Sequence, residues 1–250
     1  MRLRRMVWML GGLAMGCHRG PPPVRPVVRP ETSLERAMTL FRHGDFRRAQ
    51  LALQRLTFEF GPGQPELATT RFYLAECYFQ IGDYIQAAHE FRKVADEFPA
   101  SEYAPLALLR AGDGNMRLWR RAELDPTYGE TALSIYQELA GRYPDSDAAG
   151  RARLHVRRLQ DQFAEKTYKN GLFYLRRKAY DSAIIYFKDV IANYPEAKRA
   201  PDALLRLVDS YRAIGYTEEL KETCTHLHRF YPQASGLARS CPADTTGAPS

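Results

Sequence analysis

Residues 72–99 read FYLAECYFQIGDYIQAAHEFRKVADEFP, and this stretch decides the fold. Apolar residues recur every three or four positions on each side of Gly82-Asp83, as in two amphipathic helices joined by a tight turn. Ala87 stands one turn before Phe91, and such a pairing lets helices approach closely while the ring fills the remaining gap. Pro99 cannot continue a helix and ends the second one. The stretch therefore predicts a pair of packed helices.

The same pattern recurs along the chain. An aromatic residue followed by proline closes an apolar helix at four sites: Phe98-Pro99, Tyr143-Pro144, Tyr194-Pro195 and Tyr231-Pro232. The surrounding order of small and large residues follows the 34-residue tetratricopeptide pattern of helix pairs. A less regular unit that ends near Pro62 is typical of a terminal repeat. We predict an all-α fold, a tetratricopeptide-repeat superhelical solenoid of about five helix pairs.

The repeats divide into two predicted halves. Residues 34–146 form the N-terminal half, and residues 147–232 form a long connecting helix followed by the C-terminal half. An insertion from about Asp113 to Pro126 is expected to stretch one turn, because Gly112-Asp113-Gly114-Asn115 looks like the start of a loop. Alternating apolar and polar runs are missing, so a β-rich fold is not expected. The Pro, Gly, Thr and Ser content of residues 233–250 predicts a disordered tail.

The first 16 residues have the layout of a secretory signal. Three arginines precede an apolar run that is too short to cross a bilayer, which needs roughly 20 residues. Small residues then lead into Cys17, which resembles the lipobox cysteine of bacterial lipoproteins. We predict that residues 1–16 are removed and that Cys17 is lipidated, with cleavage nearby by an ordinary signal peptidase as the alternative. The proline-rich residues 17–33 are predicted to form an extended tether.

The net charge of +7 does not indicate a nucleic-acid partner. Part of it belongs to the signal segment, and the chain has no recognised nucleic-acid motif or dense basic stripe. The arginines that cluster on one predicted helix are interpreted as a solvated face, with an acidic partner or lipid head groups as the alternative. They are Arg151, Arg153, Arg157 and Arg158.

Cysteine and motif usage indicate a protein without catalytic, cofactor or metal sites. Cys77 and Cys224 fall on predicted helices as small buried hydrophobes. The tail residue Cys241 is near enough in sequence to reach Cys224, and the sequence leaves open whether they form a disulfide. No nucleophile elbow, P-loop, dinucleotide fingerprint or zinc-helix motif occurs, so an enzyme is not expected.

The order of these features resembles one family, the BamD outer membrane lipoproteins. The resemblance spans residues 34–232 and rests on Gly82-Asp83-Tyr84 through Pro99, on the insertion before Tyr143-Pro144, and on the long link from Asp147 to Lys178. It implies a periplasmic scaffold, anchored in the outer membrane, that helps insert β-barrel proteins. The implied partners are a BamA-like barrel insertase, other assembly lipoproteins and unfolded outer membrane proteins. The residue after Cys17 is His18 rather than aspartate, which resembles a lipoprotein sorted to the outer membrane.

Two candidate surfaces follow from projecting the repeat pattern, in which first helices line the concave side. The N-terminal half is predicted to form an apolar groove for an extended or amphipathic segment, lined by Leu34, Met38, Phe41, Arg42, Phe72, Glu76 and Phe79. In the alternative interpretation, Phe72 and Phe79 only pack against neighbouring helices. The C-terminal half offers a more mixed surface suited to a folded partner, formed by Tyr168, Leu172, Leu175, Arg176, Leu205, Asp209 and Arg212.

Other functions stay open at this point. One alternative is a CpoB-like periplasmic repeat protein that works with the Tol-Pal system in envelope or cell-wall coordination. Such proteins carry an N-terminal coiled coil, and no heptad run precedes the first repeat of this chain. A lipoprotein adaptor of a secretion or motility system is another alternative. A peptidoglycan hydrolase would need catalytic residues that the sequence does not supply.

Overall fold

A computed structural model describes residues 30–119 and 125–242, which fold into helices joined by short turns. In chain order the helices are α1 (Pro30–Arg42), α2 (Phe46–Glu59), α3 (Pro65–Gln80), α4 (Tyr84–Glu97), α5 (Tyr103–Leu118), α6 (Thr127–Arg142), α7 (Asp147–Arg176), α8 (Tyr180–Asn193), α9 (Ala200–Ile214), α10 (Thr217–Phe230) and α11 (Leu237–Ser240). None of these described helices is both long enough and apolar enough to cross a membrane.

Helices α1 to α10 pair in chain order, and each pair packs against the next. The first helices of successive pairs also form a layer of their own, in which α1, α3, α5, α7 and α9 contact one another in sequence. This is the arrangement of a tetratricopeptide-repeat solenoid, in which each repeat touches only its neighbours. The predicted all-α solenoid of about five helix pairs is confirmed.

In four of the five repeats, the turn between the two helices contains one residue in the left-handed region. Glycine supplies it in three repeats, with φ values of 78° at Gly44, 86° at Gly82 and 80° at Gly215. The equivalent residue of the fourth repeat is Lys178, with φ of 59°, where a side chain costs about 1 kcal/mol. Asp45 and Asp83 follow the first two of these glycines, and each caps the next helix by accepting a backbone N–H bond.

Glycines on first helices face buried rings on second helices. A Cβ added at Gly171 of α7 would lie 2.5 Å from the ring of Phe187 on α8. A Cβ added at Gly112 of α5 would lie 2.4 Å from the ring of Tyr136 on α6. Both rings are fully buried. The missing side chains therefore let the two helices of each pair approach closely enough to enclose the ring.

The second helix of each pair ends at an aromatic C-cap residue. These residues are Phe60, Phe98, Tyr143, Tyr194 and Tyr231. Two of the tyrosines also join successive repeats through their hydroxyl groups. Tyr143 donates to the carbonyl of Pro99 at 2.9 Å, and Tyr231 donates to the carbonyl of Pro195 at 3.0 Å. At Tyr143 and Tyr231 the aromatic-proline motif thus ends a helix and also hydrogen-bonds to the end of the preceding repeat.

The third repeat differs from its prediction. Residues 112–115 are helical, since α5 continues to Leu118, and α6 begins at Thr127. The two glycines of this sequence are small contact residues, because Gly112 faces the Tyr136 ring and Gly114 faces α4 near Ala88. The loop interpretation of Gly112–Asn115 was therefore wrong, since close helix packing accounts for both glycines.

Both predicted ends of the solenoid shift as well. Helix α1 begins at Pro30, so the last four residues assigned to the tether belong to the first repeat. Residues 233–242, assigned to a disordered tail, contain α11 and the buried side chains of Leu237 and Cys241. A disulfide between Cys241 and Cys224 holds this segment on the last repeat, which is why its polar composition misleads.

Candidate binding surfaces

The layer of first helices presents one continuous row of side chains in the N-terminal half. Residues 38 and 42 of α1, 76 and 80 of α3, and 113 and 117 of α5 occupy equivalent repeat positions. We give the name inner surface to the exposed and half-buried side chains on and beside this row, and its members are Met38, Arg42, Tyr73, Glu76, Gln80, Leu106, Arg110, Asp113 and Arg117. In tetratricopeptide proteins the first helices form the concave side, which is the usual binding side.

The predicted groove residues of α1 divide between this surface and the core. Met38 is half-buried and Arg42 is exposed, so both belong to the inner surface. Leu34 and Phe41 pack against the core of the first repeats. The Phe41 ring meets Phe46 edge-on at 5.4 Å and Tyr73 at 5.1 Å. Phe41 therefore joins α1 to α2 and α3, and only part of its ring borders the surface.

Phe72 is not a groove residue. Its side chain is 4% exposed, its ring stacks on Tyr103 at 4.8 Å, and it meets Phe91 edge-on at 5.6 Å. Its position on α3 points toward α4 and α5, so the ring belongs to the core between repeats. The groove assignment of Phe72 was therefore wrong, and the packing interpretation holds for it.

Glu76 and Phe79 are held in a charged cluster that spans two repeats. The Arg110 guanidinium of α5 donates to both carboxylate oxygens of Glu76, at 2.6 and 2.8 Å. The same guanidinium lies 3.8 Å above the centre of the Phe79 ring and 3.5 Å from Asp113. Burial opposes the charge on Arg110, but hydrogen bonds and the negative charges of Glu76 and Asp113 outweigh it and raise the pKa of Arg110. Glu76 thus lies on the inner surface with its carboxylate already engaged.

Tyr73 and Arg110 are two of the inner-surface residues that the sequence analysis did not identify. Tyr73 lies between the first and third repeats, with its ring 6.2 Å from that of Tyr103. Burial raises the pKa of Tyr73, as do Tyr103 and the carboxylates of Glu76 and Glu102, while the positive charge of Arg42 acts in the opposite direction. A helical stripe one position removed from Phe72, through residues 69, 73, 76 and 80, would have identified Tyr73.

The predicted docking surface of the C-terminal half also loses two members to the core. Tyr168 is 6% exposed, packs on Phe187 at 5.6 Å and lies beneath the guanidinium of Arg199. Leu205 is 7% exposed and packs in the core of the last two repeats. Both occupy the repeat position of Phe72. Tyr168 is covered from the next helix pair by Arg199, and Leu205, in the last helix pair, lies near Gly236 of the C-terminal segment. The assignments of Tyr168 and Leu205 to docking were therefore wrong.

Asp209 and Arg212 of α9 are committed to other contacts. Asp209 pairs with Arg206 at 2.9 Å, and Arg212 donates to the carbonyl of Ser240. Residues 234–242 form what we call the C-terminal strap, which packs α11 on α9 and is closed by the Cys224–Cys241 disulfide. His228 also lies 2.9 Å from the carbonyl of Cys241. The strap therefore occupies part of the surface that the sequence assigned to a partner.

The remaining docking residues lie at the end of α7. Leu172 and Leu175 are half-buried and Arg176 is exposed, with no ion pair to Arg176 in the described ranges. By repeat position, Leu172 and Arg176 are equivalent to Glu76 and Gln80. They continue the row of first-helix side chains into the C-terminal half.

The other singled-out residues have simpler surroundings. The side chains of Arg151, Arg153, Arg157 and Arg158 are exposed. Cys77 is buried and free, and burial raises the pKa of its thiol to about 12. Cys17 lies outside the described residues. Within residues 30–119 and 125–242, no group of three or more His, Cys, Asp or Glu side chains is arranged to hold a metal ion.

Stacked helix pairs with a row of polar and apolar side chains along their first helices define a tetratricopeptide-repeat protein. Solved structures of this class resemble it at low identity. A thermophilic tetratricopeptide protein of Thermus thermophilus matches 85% of this chain and 97% of its own length at 19% identity, with a TM-score of 0.39. The chain belongs to the YfiO family, described as outer membrane lipoproteins, whose family model matches residues 29–227.

The chain is also similar to proteins that are named as outer membrane assembly factors. The outer membrane protein assembly factor BamD of Vibrio cholerae is 25% identical over 223 residues, which covers 84% of this chain and 91% of the relative. BamD of Rickettsia prowazekii is 25% identical and covers 89% of each chain. BamD of Caulobacter vibrioides is 35% identical over 108 residues, or 43% of this chain, and that match spans only 35% of the relative.

Proposed function

We propose that this protein is a lipid-anchored periplasmic scaffold of the machinery that inserts β-barrel proteins into the outer membrane. The observation that carries the proposal is the family match over residues 29–227, together with relatives named as outer membrane assembly factors. The lipobox-like sequence before Cys17 supports attachment to the periplasmic face of that membrane. The function needs binding surfaces rather than a reaction centre, so we propose a scaffold and not an enzyme.

The two halves of the solenoid supply different kinds of surface for this role. The inner surface of the first three repeats combines aromatic and apolar side chains with the exposed guanidinium of Arg42, which donates to the Thr39 hydroxyl at 3.2 Å. We assign it to extended segments of unfolded outer membrane proteins, whose carboxylate would pair with Arg42. The end of α7, with Leu172 and Arg176, is assigned to the folded periplasmic part of a BamA-like insertase. Other assembly lipoproteins are partners that the same family membership supports.

The insertase assignment is tested by capturing the tagged protein from detergent-solubilised outer membranes and identifying what co-purifies. We expect a large barrel protein with periplasmic domains in near-equal amount. Arg176→Glu should lower its recovery roughly tenfold, which corresponds to about 1.4 kcal/mol of binding free energy. Arg151→Glu, which reverses another exposed arginine of α7, is the matched control and should leave recovery unchanged. Recovery of Tol-Pal or cell-wall synthesis proteins without the barrel would contradict the proposal.

The client assignment is tested with peptides from the C-terminal strand of a barrel protein, each made with a free carboxylate and as the amide. Arg42→Glu should weaken binding of the carboxylate peptide by roughly tenfold, because one charge-assisted hydrogen bond is replaced by repulsion. The amide should bind both forms of the protein almost equally. Arg36→Glu reverses an exposed arginine on another face of α1 and should have no effect. An equal loss with the amide would rule out pairing between Arg42 and a carboxylate.

A further inference from the structure

The outward face of α2 carries exposed apolar side chains that the solenoid does not use. Phe58 is 86% exposed and Leu51 is 56% exposed, and they lie seven residues apart on one helix face. The buried face of the same helix, with Ala49, Leu53 and Leu56, lies on the opposite side. A ring as exposed as Phe58 adds nothing to the core and leaves most of its apolar surface in water.

Basic side chains surround these two apolar residues. Arg47 and Arg55 lie on the same face of α2, are exposed, and form no ion pair with any residue of 30–119 or 125–242. Helix α2 contains three arginines and a single acidic residue, Glu59. The face is therefore cationic and apolar at once, and its charges are not neutralised by the protein itself.

Comparison of the repeats shows that this combination is specific to the first one. The residues equivalent to Phe58 in the other second helices are Asp96, Gly141, Ala192 and Arg229. In the second repeat the same face is ionic, since Arg92 pairs with Asp96 at 3.5 Å and with Glu138 at 2.7 Å. Ile185 of α8 is exposed at the position of Leu51, but no second large apolar residue follows it two turns further along. Solenoid packing thus does not require an aromatic residue at position 58.

The first repeat is also the one nearest to the expected lipid anchor. Cys17 precedes Pro30 by 13 residues, and a proline-rich segment of that length extends about 40 Å at roughly 3.1 Å per residue. An anchored repeat is kept at high effective concentration near the bilayer, so a surface with only a few contacts is sufficient to bind it. Arginines with aromatic and aliphatic side chains on one helix face are typical of helices that lie in a membrane interface.

We propose that the face of α2 formed by Arg47, Leu51, Arg55 and Phe58 docks on the anionic phospholipid surface to which the chain is anchored. Phe58 and Leu51 insert at the boundary of head groups and acyl chains, while Arg47 and Arg55 pair with lipid phosphates. Docking fixes the orientation of the solenoid and turns its first-helix layer away from the bilayer, because α2 and the inner surface lie on different sides of the first repeat. The inference rests on the proposed anchor for its setting, but its test separates the two.

The test places tryptophan at position 58 and measures fluorescence on vesicles. The acylated mature chain, which begins at Cys17 and carries Phe58→Trp, is reconstituted on vesicles of phosphatidylethanolamine and phosphatidylglycerol that carry bromine on their acyl chains. We expect a blue-shifted emission that loses roughly half its intensity to the bromines, since interfacial helices insert about 5–10 Å. The spectrum of the chain without this substitution is subtracted to remove the emission of the native Trp119. Gly141→Trp, at the equivalent exposed and open position of the third repeat, is the matched control and should not be quenched.

One further variant and one change of lipid decide whether charge contributes. Arg47→Glu with Arg55→Glu in the Phe58→Trp chain should abolish the quenching, and so should vesicles of phosphatidylcholine alone. Flotation of the vesicles reports the anchor independently of the fluorescence. If the chain does not float, it can be coupled through Cys17 to a maleimide lipid, since Cys77 is buried and Cys224 is joined to Cys241. Unquenched, water-like emission from a tethered chain overturns the docking proposal, and so does a blue shift without quenching, which indicates a protein partner or a second copy.

Discussion

The Gly112→Val variant is expected to unfold at markedly lower denaturant concentration than the wild type, with a loss of roughly 3 kcal/mol. A Cβ at this position would lie 2.4 Å from Cε1 and 2.7 Å from Cζ of the Tyr136 ring. The Tyr136 ring cannot easily move aside to make room for a larger side chain. It is fully buried, stacks on His155 at 4.7 Å, and its hydroxyl donates to Asp113 at 2.8 Å. Chemical denaturation followed by circular dichroism measures the effect.

A matched glycine separates packing from helix propensity. Gly150 lies in α7 with nothing within 4 Å of its would-be Cβ, so Gly150→Ala should stabilise the protein by up to about 1 kcal/mol. Gly112→Ala should instead destabilise it, although it introduces the same side chain into a helix. In a Tyr136→Leu background most of the cost of Gly112→Ala should disappear, which a double-mutant cycle detects as coupling. Equal costs in both backgrounds would mean that the ring is not the obstacle.

Loss of the disulfide is expected to destabilise the C-terminal repeat by about 3 kcal/mol, the loop-closure value for cysteines 17 residues apart. The double variant Cys224→Ser with Cys241→Ser should release the strap from α9. The side chain of Leu237 and the carbonyl of Ser240, which pack against the last repeat in the disulfide-bonded chain, would then become exposed. Hydrogen exchange should show lost protection in α9 and α10 but unchanged protection in α3 and α4, because repeat proteins respond locally.

Reductant supplies the control for this prediction. It should destabilise the wild type and a Cys77→Ala variant to the same extent, since Cys77 is a free buried thiol. It should have no effect on the variant that lacks Cys224 and Cys241. The prediction fails if the reduced wild type keeps the hydrogen-exchange protection of residues 234–242.

Much of the fold followed from local patterns. Glycine at a left-handed turn, proline after an aromatic cap and alternating small and large residues are consequences of backbone sterics and helix packing within one repeat. They act over a few residues, so the sequence predicts them well. Gly112 and Gly114 were misinterpreted because a glycine that starts a loop and a glycine that admits a ring look alike until the facing helix is known.

The binding surfaces were harder to predict for the same reason. Phe72 and Tyr73 are adjacent aromatic residues on one helix, and only the positions of α4 and α5 decide that Phe72 is enclosed while Tyr73 borders the inner surface. Tyr168 and Leu205 were misplaced in the same direction, because each occupies the same repeat position as Phe72 and is covered by the part of the chain that follows its repeat. Adjacent helical residues point about 100° apart, which is enough to place one in the core and the next at the surface. The apolar pattern alone does not determine which of the two is buried.

The sequence by itself determined the helix pairs, their number, the long α7 link and the lipobox-like start, because each depends on short-range sterics or on a local motif. Only the tertiary structure decided which side chains remain accessible, that Arg110 of the third repeat engages Glu76 of the second, and that Cys241 closes the strap over α9. The physical reason is distance along the chain. These contacts join residues 17 to 34 positions apart, so they form only when neighbouring repeats have packed against each other.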